Sequence, residues 1–243
     1  MTIEELRQEI RNRNLPADDS AVEAMLRLTA ILKEWNGRFN LTAIDEPEEV
    51  YEKHLLDCLI PLSHIHPEGS VCDVGSGAGF PGLVWAAALP EVSFTLLEPT
   101  QKRCRFLEAA AEEMGLKNVT VVNQRAEEFA AASRESFDTV TARAVANLPV
   151  LSELCVPLVR TGGTFAAMKG SRGTEEAEEA AYALKTLGCQ EYRLFEDTLP
   201  NGEKRVLVTA VKQKPTDRKY PRAYAKIKQK PLMEKHGYGK IHI

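Results

Sequence analysis

The sequence lacks the features that direct a chain into or across a membrane. None of its 243 residues belong to an apolar run of about 18 or more, so no transmembrane helix is expected. Residues 1–7 do not combine a basic start with a following apolar stretch, so we expect no secretory signal. Internal repeats and low-complexity segments are also lacking. The expected protein is globular and cytoplasmic, with no membrane partner.

Closely spaced cysteines are missing as well. No two have the short spacing of a zinc site or a redox motif, so we expect free thiols in a reducing compartment. His54 and Asp57 share one helical turn without a further ligand, which favours a hydrogen-bonded helix face. We therefore predict no metal. The cysteines are Cys58, Cys72, Cys104, Cys155 and Cys189.

Acidic residues are scarce in the last part of the chain. From Lys212 onward there are ten lysines and arginines but two acids, a net charge of +8. Because the whole chain carries −4, the rest carries −12. An acidic body with a basic tail predicts a polyanionic partner that binds at the tail.

Apolar periodicity predicts a helical region followed by alternating strands and helices. Residues 1–67 are predicted to be helical, because Val22, Met25 and Leu32 recur on one helical face. After residue 70, strands and helices alternate. The predicted strands span residues 71–74, 92–97, 119–122, 137–141, 164–168, 192–195 and 205–211, and the predicted helices span residues 81–89, 101–114, 148–159 and 175–187.

This alternation predicts an α/β fold with a doubly wound, mostly parallel, seven-stranded sheet. The last two strands are joined by a turn at residues 200–202, so one of them should run antiparallel. The sheet domain is expected to span residues 68–211, after a small helical N-terminal region of residues 1–67. Residues 212–243 are expected to form a basic C-terminal arm that is extended and not packed.

A glycine-rich segment, residues 73–82, follows the first predicted strand. Such glycines let the chain turn tightly against a ligand, and the next helix offers free N–H groups. Gly77, Gly79 and Gly82 have the G-x-G-x-x-G spacing, and Glu98 at the end of the second strand can accept hydrogen bonds from a ribose. Both features fit NAD as well as S-adenosylmethionine, so alone they leave the cofactor open.

Three further features favour S-adenosylmethionine. The Asp73 carboxylate attracts the cationic methionine part of this cofactor, whereas it repels a pyrophosphate. Ala126 and Glu127 follow the third strand, where a backbone N–H and a carboxylate suit the adenine amino group. Arg143 follows the fourth strand, at the edge where ligands bind, although a structural ion pair is its alternative role. A class I methyltransferase is predicted, and an NAD-binding Rossmann oxidoreductase is the alternative.

Motifs at both ends of the chain resemble those of one known family. They lie at residues 35–42, 54–57, 73–82, 125–127, 141–146, 168–170, 220–222 and 231–232. On these motifs the chain resembles the ribosomal RNA small-subunit methyltransferase G family, also called glucose-inhibited division protein B. It departs from the family's usual residues at four positions, which are Glu98 for Asp, Cys58 for Ser, Ala225 for Gly and Gln229 for Lys.

The resemblance implies methylation of a guanine N7 in the decoding-site loop of 16S ribosomal RNA, in a bacterial cytoplasm. The expected partner is this RNA or the small ribosomal subunit. Cofactor contacts are implied at Gly75, Phe80, Ala126, Glu127 and Arg143, to which the residue patterns add Asp73, Gly77 and Glu98.

Guanine N7 carries a free lone pair, so its methylation needs no general base. The sequence accordingly shows no acid–base pair around the glycine turn, and Asn40, Arg143 and Lys169 are predicted to position the base or its phosphates. In the arm, cations and tyrosines alternate, which suits phosphate contacts and base stacking. The predicted RNA-binding residues are Arg218, Lys219, Tyr220, Arg222, Lys226 and Lys228, with Tyr224 in the same pattern.

Several functions stay open from the residues alone. They are a methyltransferase for another RNA, for a small molecule or for a protein, and a non-catalytic RNA-binding factor. The basic arm favours nucleic acid over the other substrates. Nothing in the sequence demands a dimer, so a monomer is expected.

Overall fold

The computed structural model describes residues 1–234. Its N-terminal region is helical, as predicted, and includes a turn of π-helix. Thr2 and Glu5 form a capping box that starts the first helix, and the Asp18 carboxylate caps the second by accepting from the Ala21 N–H at 2.8 Å. The elements are α1 (Ile3–Asn12), α2 (Asp19–Phe39), α3 (Pro47–Val50), the π-helical turn (Tyr51–Leu56), α4 (Asp57–Leu59) and a 3₁₀ turn (Ile60–Ser63).

Strands and helices then alternate, and the predicted α/β fold is confirmed. Gly115 and Gly188 end two of the helices with φ of 75° and 111°, which only glycine adopts without strain. The elements are β1 (Ser70–Val74), α5 (Gly82–Ala88), β2 (Ser93–Leu97), α6 (Gln101–Met114), β3 (Val119–Val122), α7 (Ala126–Phe129), β4 (Phe137–Arg143), α8 (Leu148–Cys155), a 3₁₀ turn (Val156–Leu158), β5 (Val159–Lys169), α9 (Gly173–Leu187), β6 (Cys189–Thr198), β7 (Lys204–Lys212) and α10 (Tyr224–Gln229).

The seven strands form one mixed sheet in the order β3-β2-β1-β4-β5-β7-β6. All neighbours are parallel except β7, which runs antiparallel to β5 and β6. The chain winds outward from β1 to β3 and then resumes on the other side of β1 at β4. The carboxyl ends of β1 and β4 therefore form the switch point, where ligands bind in such sheets.

A hydrophobic layer covers each face of the sheet. On one face, α1 and α2 share a core with α5 and α6, so the N-terminal helices are built into the domain. Leu6, Met25 and Phe106 are fully buried there. The other face is covered by α8 and α9, and Ile227 of α10 belongs to the same cluster. All five cysteines are buried and free. Among the described residues, no helix is long and apolar enough to cross a bilayer.

The prediction of an extended, unpacked arm is wrong for residues 212–234, the part of the arm that the structure describes. Lys212 ends β7 and is fully buried, where its ammonium donates to the carbonyls of Val156 and Val159 at 3.0 and 2.8 Å. The ammonium also pairs with Glu135 at 2.9 Å. A lysine charge is tolerated inside a protein only with such partners. The strand therefore extends one residue past the predicted boundary, and its last side chain is part of the core.

Two arginines fasten the chain that follows. The Arg134 guanidinium donates to three main-chain carbonyls, those of Thr216, Asp217 and Tyr220, at 2.5 to 2.9 Å. Arg222 makes a bidentate ion pair with the fully buried carboxylate of Glu153, at 2.8 and 2.6 Å. We call residues 212–230 the C-terminal clasp, because these bonds hold the segment against α8 and the sheet.

Two lysines of the clasp, Lys212 and Lys214, test whether this segment is part of the folded core. We expect Lys212→Ala to lower the free energy of unfolding by about 3 kcal/mol, because it leaves the Glu135 carboxylate and two carbonyls without their cation. Lys214 is exposed, and Lys214→Ala should change stability by less than about 0.5 kcal/mol. Urea unfolding followed by circular dichroism measures both. Equal midpoints for the two variants would contradict a buried role for Lys212.

Candidate active site

A cleft of about 280 Å³ opens at the carboxyl ends of β1, β2 and β4, at the switch point of the sheet. Four segments far apart in the sequence meet there, together with one residue of the clasp. Of the predicted cofactor residues, Gly75, Glu98, Ala126 and Glu127 line the cleft directly. The remaining lining residues are Val74, Leu97, Pro99, Thr100, Arg103, Gln124, Arg125, Ala144, Val145, Leu154 and Tyr224.

The glycines after β1 are required by packing and by backbone conformation. At Gly75, φ is +73° and a Cβ atom would lie 2.7 Å from Cγ2 of Val145. At Gly82, a Cβ atom would lie 2.3 Å from Leu96, so the start of α5 fits closely against β2. Gly77 has open space but a φ of +57°, so only its conformation favours glycine. A side chain at Gly75 would push into the wall of the cleft.

Glu98 stands at the cleft wall with its carboxylate fixed by the backbone. One oxygen accepts from the Gly77 N–H at 3.0 Å, and the other accepts from the Thr100 N–H at 2.9 Å. The side chain is buried yet lines the cleft. Each carboxylate oxygen has a second lone pair, so Glu98 can still accept hydrogen bonds from a bound ribose. The longer Glu in place of the family's usual Asp is therefore accommodated by the turn itself.

Asp73 lies beneath the glycine turn and has an unusual environment. Its Oδ2 accepts from the Gly82 N–H at 3.0 Å, whereas the buried Oδ1 has no hydrogen-bond partner within the described residues. Burial raises the pKa of Asp73 to about 7, an increase that the Gly82 and Ser76 hydrogen bonds oppose. Thr141, its register partner on β4, also has an unpartnered hydroxyl. An unpaired buried carboxylate oxygen suits a cationic ligand.

Arg143 is held by the protein itself. Its guanidinium donates to the Asp57 carboxylate at 3.0 Å and to the Lys53 carbonyl at 3.1 Å, and it contacts Nδ1 of His54 at 3.1 Å. Arg143 also packs over the ring of Phe80, with 5.3 Å from the guanidinium carbon to the ring centroid. The structure thus shows the ion pair that was the alternative role of Arg143. Neither Arg143 nor Phe80 lines the cleft.

The Arg143 cluster joins three parts of the fold. Asp57 follows the π-helical turn and pairs with Arg143 of β4 and, at 2.9 Å, with Arg205 of β7. Burial raises the pKa of Asp57, and the two guanidiniums oppose that increase. His54 stacks on Phe80 with centroids 4.5 Å apart. Burial and Arg143 lower the pKa of His54 to about 4, so its ring is neutral at physiological pH.

The predicted positioning residues Asn40 and Lys169 lie in different environments. Asn40 is exposed and ends α2 in the left-handed region, with φ of 49°. The Lys169 ammonium pairs with Glu176 at 2.6 Å and donates to the Ala146 carbonyl at 2.9 Å. Asn40 is therefore free to meet a substrate, whereas Lys169 is tied to the loop after β4.

Two predicted RNA-binding side chains are engaged by the protein itself. Tyr220 is 9% exposed and packs in the core, so the expectation of a free stacking ring is wrong. Arg222 is bound to Glu153, so the expectation of a free guanidinium is wrong too. Arg218, Lys219, Lys226 and Lys228 are exposed. His236 and His242, which were not expected to bind a metal, lie outside the described residues.

Sequence reasoning missed several residues of the cleft. Arg103 of α6 and Tyr224 of the clasp line it, and Ala144 lines it with an unusual φ of 58° for a residue with a side chain. Arg205 was missed as the second partner of Asp57. No local pattern marks these residues, because their partners are brought together only by the fold. Within residues 1–234, no cluster of three or more potential metal ligands is formed.

Comparison with known proteins identifies the family. Residues 21–201 match the family model for rRNA small subunit methyltransferase G. The chain is 39% identical to a protein named ribosomal RNA small subunit methyltransferase G from Staphylococcus epidermidis, a match that covers 96% of this chain and 100% of that protein. The protein of the same name from Staphylococcus aureus strain Newman is also 39% identical, over 97% of this chain and 100% of its own length.

The chain belongs to the rRNA small subunit methyltransferase G family. It is an S-adenosylmethionine-dependent methyltransferase. Among solved structures, it is similar to a 16S rRNA (adenine(1408)-N(1))-methyltransferase from Catenulisporales acidiphilia, with a TM-score of 0.49 and 19% identity over 61% of this chain and 90% of that one. That similarity is too low to bear on function.

The unpartnered Asp73 carboxylate leads to a prediction with opposite effects on stability and binding. Because its pKa is raised from 3.8 to about 7, its contribution to stability is fully present below 3.8 and is lost as pH rises to about 7. The asparagine of Asp73→Asn does not titrate. We therefore expect the melting temperature of this variant, relative to that of the unsubstituted protein, to increase as pH rises from about 5 to about 8. Its affinity for S-adenosylmethionine should fall by at least about tenfold, because the cation loses its carboxylate.

Calorimetric melting of the cofactor-free protein and titration with the cofactor measure the two effects. Asp19→Asn is the control, since Asp19 is an exposed carboxylate outside the cleft. Normal cofactor binding by Asp73→Asn would contradict the assignment. So would a melting temperature that changes with pH in the same way as that of Asp19→Asn between about pH 5 and about pH 8.

Proposed function

We propose that this methyltransferase modifies N7 of a guanine in the decoding-site loop of 16S ribosomal RNA, in the bacterial cytoplasm. Membership of the rRNA small subunit methyltransferase G family supports the RNA substrate. The observation that carries the proposal is the cleft at the switch point, whose wall includes Glu98, Ala126 and Glu127. We also propose a monomer as the active form.

The residues of the cleft suit the two ends of S-adenosylmethionine. This cofactor supplies a methyl group bound to a cationic sulfur. Glu98 offers carboxylate lone pairs to the ribose hydroxyls, and Ala126 with Glu127 offers a backbone N–H and a carboxylate to the adenine edge. Asp73 does not line the cleft, but it directly precedes the lining residues Val74 and Gly75, so its carboxylate adds negative charge for the methionine end. Gly75 keeps the floor of the cleft open, because a Cβ there would collide with Val145.

Glu98 and Glu127 are the carboxylates of the cleft lining, and no histidine lines it within residues 1–234. Glu98 is fixed by two backbone N–H groups, and His54 lies outside the lining as a neutral ring between Arg143 and Thr42. This arrangement fits a nucleophile that already carries a lone pair, as guanine N7 does. Catalysis then depends on holding the base in line with the methyl group, which can supply roughly 7–11 kcal/mol.

Positioning is assigned to residues outside the cleft lining. Asn40 is exposed at the end of α2 and is free to donate or accept hydrogen bonds with a base. Lys169 fixes the loop that follows β4 through the Ala146 carbonyl. Arg143 shapes the site from behind, because it orders Phe80 and the π-helical turn. The exposed cations Arg218, Lys219, Lys226 and Lys228 supply phosphate contacts.

The decisive experiment uses labelled S-adenosylmethionine with two substrates, naked 16S ribosomal RNA and intact small subunits lacking the modification. We expect label on one guanine of the decoding-site loop, identified as 7-methylguanine by mass spectrometry of the mapped fragment. Heat-inactivated enzyme is the control. Label on another RNA, on protein or on a different atom of guanine would overturn the substrate assignment while leaving the cofactor assignment intact.

Substitutions at the positioning residues should reduce the rate without abolishing it. We expect Asn40→Ala and Lys169→Ala to lower kcat/KM by about tenfold to a hundredfold, because they loosen the alignment but remove no chemical group. At saturating S-adenosylmethionine, the rate should also be level between about pH 6 and about pH 9, since no side chain has to give up or take a proton in the methyl transfer. Single-turnover methylation measures both, with Lys214→Ala as the control. A bell-shaped pH profile, or complete loss of activity with normal binding, would contradict this mechanism.

Salt dependence tests the RNA-binding surface. If the four exposed cations contact single-stranded phosphates, log affinity against log salt should fall with a slope of about −2.8. The double variant Lys226→Ala, Lys228→Ala should make the slope less steep by about 1.4. Fluorescence anisotropy with a labelled RNA oligonucleotide measures the slopes, and Lys33→Ala, Lys214→Ala is the matched control. An unchanged slope in the first variant would remove these lysines from the interface.

A further inference from the structure

The clasp brings an aromatic ring to the cleft. Tyr224 is the first residue of α10, is half-buried, and lines the cleft together with Leu154 of α8. Its ring lies beside Arg125, with 5.9 Å between the guanidinium carbon and the ring centroid. Arg125 directly precedes Ala126 and Glu127, the residues assigned to the adenine edge. Tyr224 therefore lies on the adenine side of the cleft.

The anchors of the clasp determine where this ring lies. Arg222, two residues before Tyr224, is bound through two nitrogens to the buried Glu153 carboxylate. Glu153 directly precedes Leu154, so the anchor and the neighbouring cleft wall belong to the same turn of α8. On the other side of Tyr224, Ile227 is fully buried. A ring held between two buried anchors is pre-organised, which lowers the entropy cost of binding a ligand.

We propose that Tyr224 is a cofactor-binding residue that packs its ring against the adenine of S-adenosylmethionine. This inference rests on the proposed function only in taking S-adenosylmethionine as the ligand of the cleft. An aromatic ring offers a purine a large apolar contact and favourable ring packing. Within residues 1–234, Tyr224 is the one aromatic residue that lines the cleft. The Arg125 guanidinium adds a second flat group on the same side.

The alternative for Tyr224 is the base stacking with RNA that alternating tyrosines and cations suggest. The geometry favours the cofactor, because the ring borders the cleft whereas the nearby Lys226 and Lys228 side chains are exposed. The short helix thus presents different residues to the cofactor and to solvent. Loss of the ring should change cofactor affinity even when no RNA is present.

Titration calorimetry without RNA tests the proposal. The probes are S-adenosylmethionine, S-adenosylhomocysteine and 5′-methylthioadenosine, of which the last keeps the adenine but lacks the amino acid. We expect Tyr224→Leu to weaken all three by about tenfold or more, and Tyr224→Phe to bind like the unsubstituted protein. Tyr182→Leu, at a 44% exposed tyrosine of α9, is the matched control and should leave binding unchanged.

A folding defect and a binding defect are separable. Tyr224→Leu keeps an apolar side chain beside Leu154, so the melting temperature of the cofactor-free protein should match that of Tyr224→Phe within about 2 °C. In the unsubstituted protein, the aromatic proton resonances that vanish in Tyr224→Leu should shift when 5′-methylthioadenosine is added. That signal reports contact with the adenosine part directly.

Three results would overturn the proposal. They are unchanged affinity in Tyr224→Leu, a loss confined to the two probes that carry the amino acid, and ring resonances that do not move with 5′-methylthioadenosine. If the unsubstituted protein itself binds none of the three probes, the cofactor assignment fails instead. If binding is normal in every variant but RNA affinity falls only in Tyr224→Leu, the ring belongs to the RNA surface.

Discussion

The buried Asp57 carboxylate, held between two arginines, is the interaction on which the site depends. It joins the π-helical turn of the N-terminal region to β4 through Arg143 and to β7 through Arg205. Removing one partner of such a pair strands a charge in the interior, so the three elements are fixed together. π-Helical turns are rare and occur often at functional sites, where they change the direction of side chains. Here the turn carries His54, which stacks on Phe80 of the glycine-rich segment.

Two carboxylates near the cleft have different environments because of the same glycine turn. Glu98 receives two backbone N–H groups and stays at the surface of the cleft. Asp73 receives one N–H and keeps an unpaired oxygen in the interior. The unliganded protein bears the cost of burying that charge, as functional sites commonly do. Under the proposed assignment of Asp73, a cationic ligand would remove the cost, and stability and binding would then be opposed at this position.

The sheet and the glycine segment could be predicted from the sequence because their signals are local. Short apolar runs, helical periodicity and stop glycines such as Gly115 and Gly188 define elements without reference to distant residues. Arg143 was harder, because a sequence does not show whether a guanidinium faces a ligand or Asp57. The clasp could not be predicted, since its lysines resemble a solvated tail. Lys212 can be buried because other parts of the fold place the Glu135 carboxylate and two main-chain carbonyls around its ammonium.

The packing of the clasp changes what a shortened protein can reveal. Truncation after Val211 removes the exposed cations, but it also removes Lys212 and Arg222 and leaves the carboxylates of Glu135 and Glu153 without their counter-ions. A truncated protein that no longer associates with RNA would therefore have lost its architecture as well as its charge. Within the clasp, residues that hold the fold together alternate with exposed cations that are available to RNA. Substitution of single side chains separates these two roles, whereas truncation of the chain removes both at once.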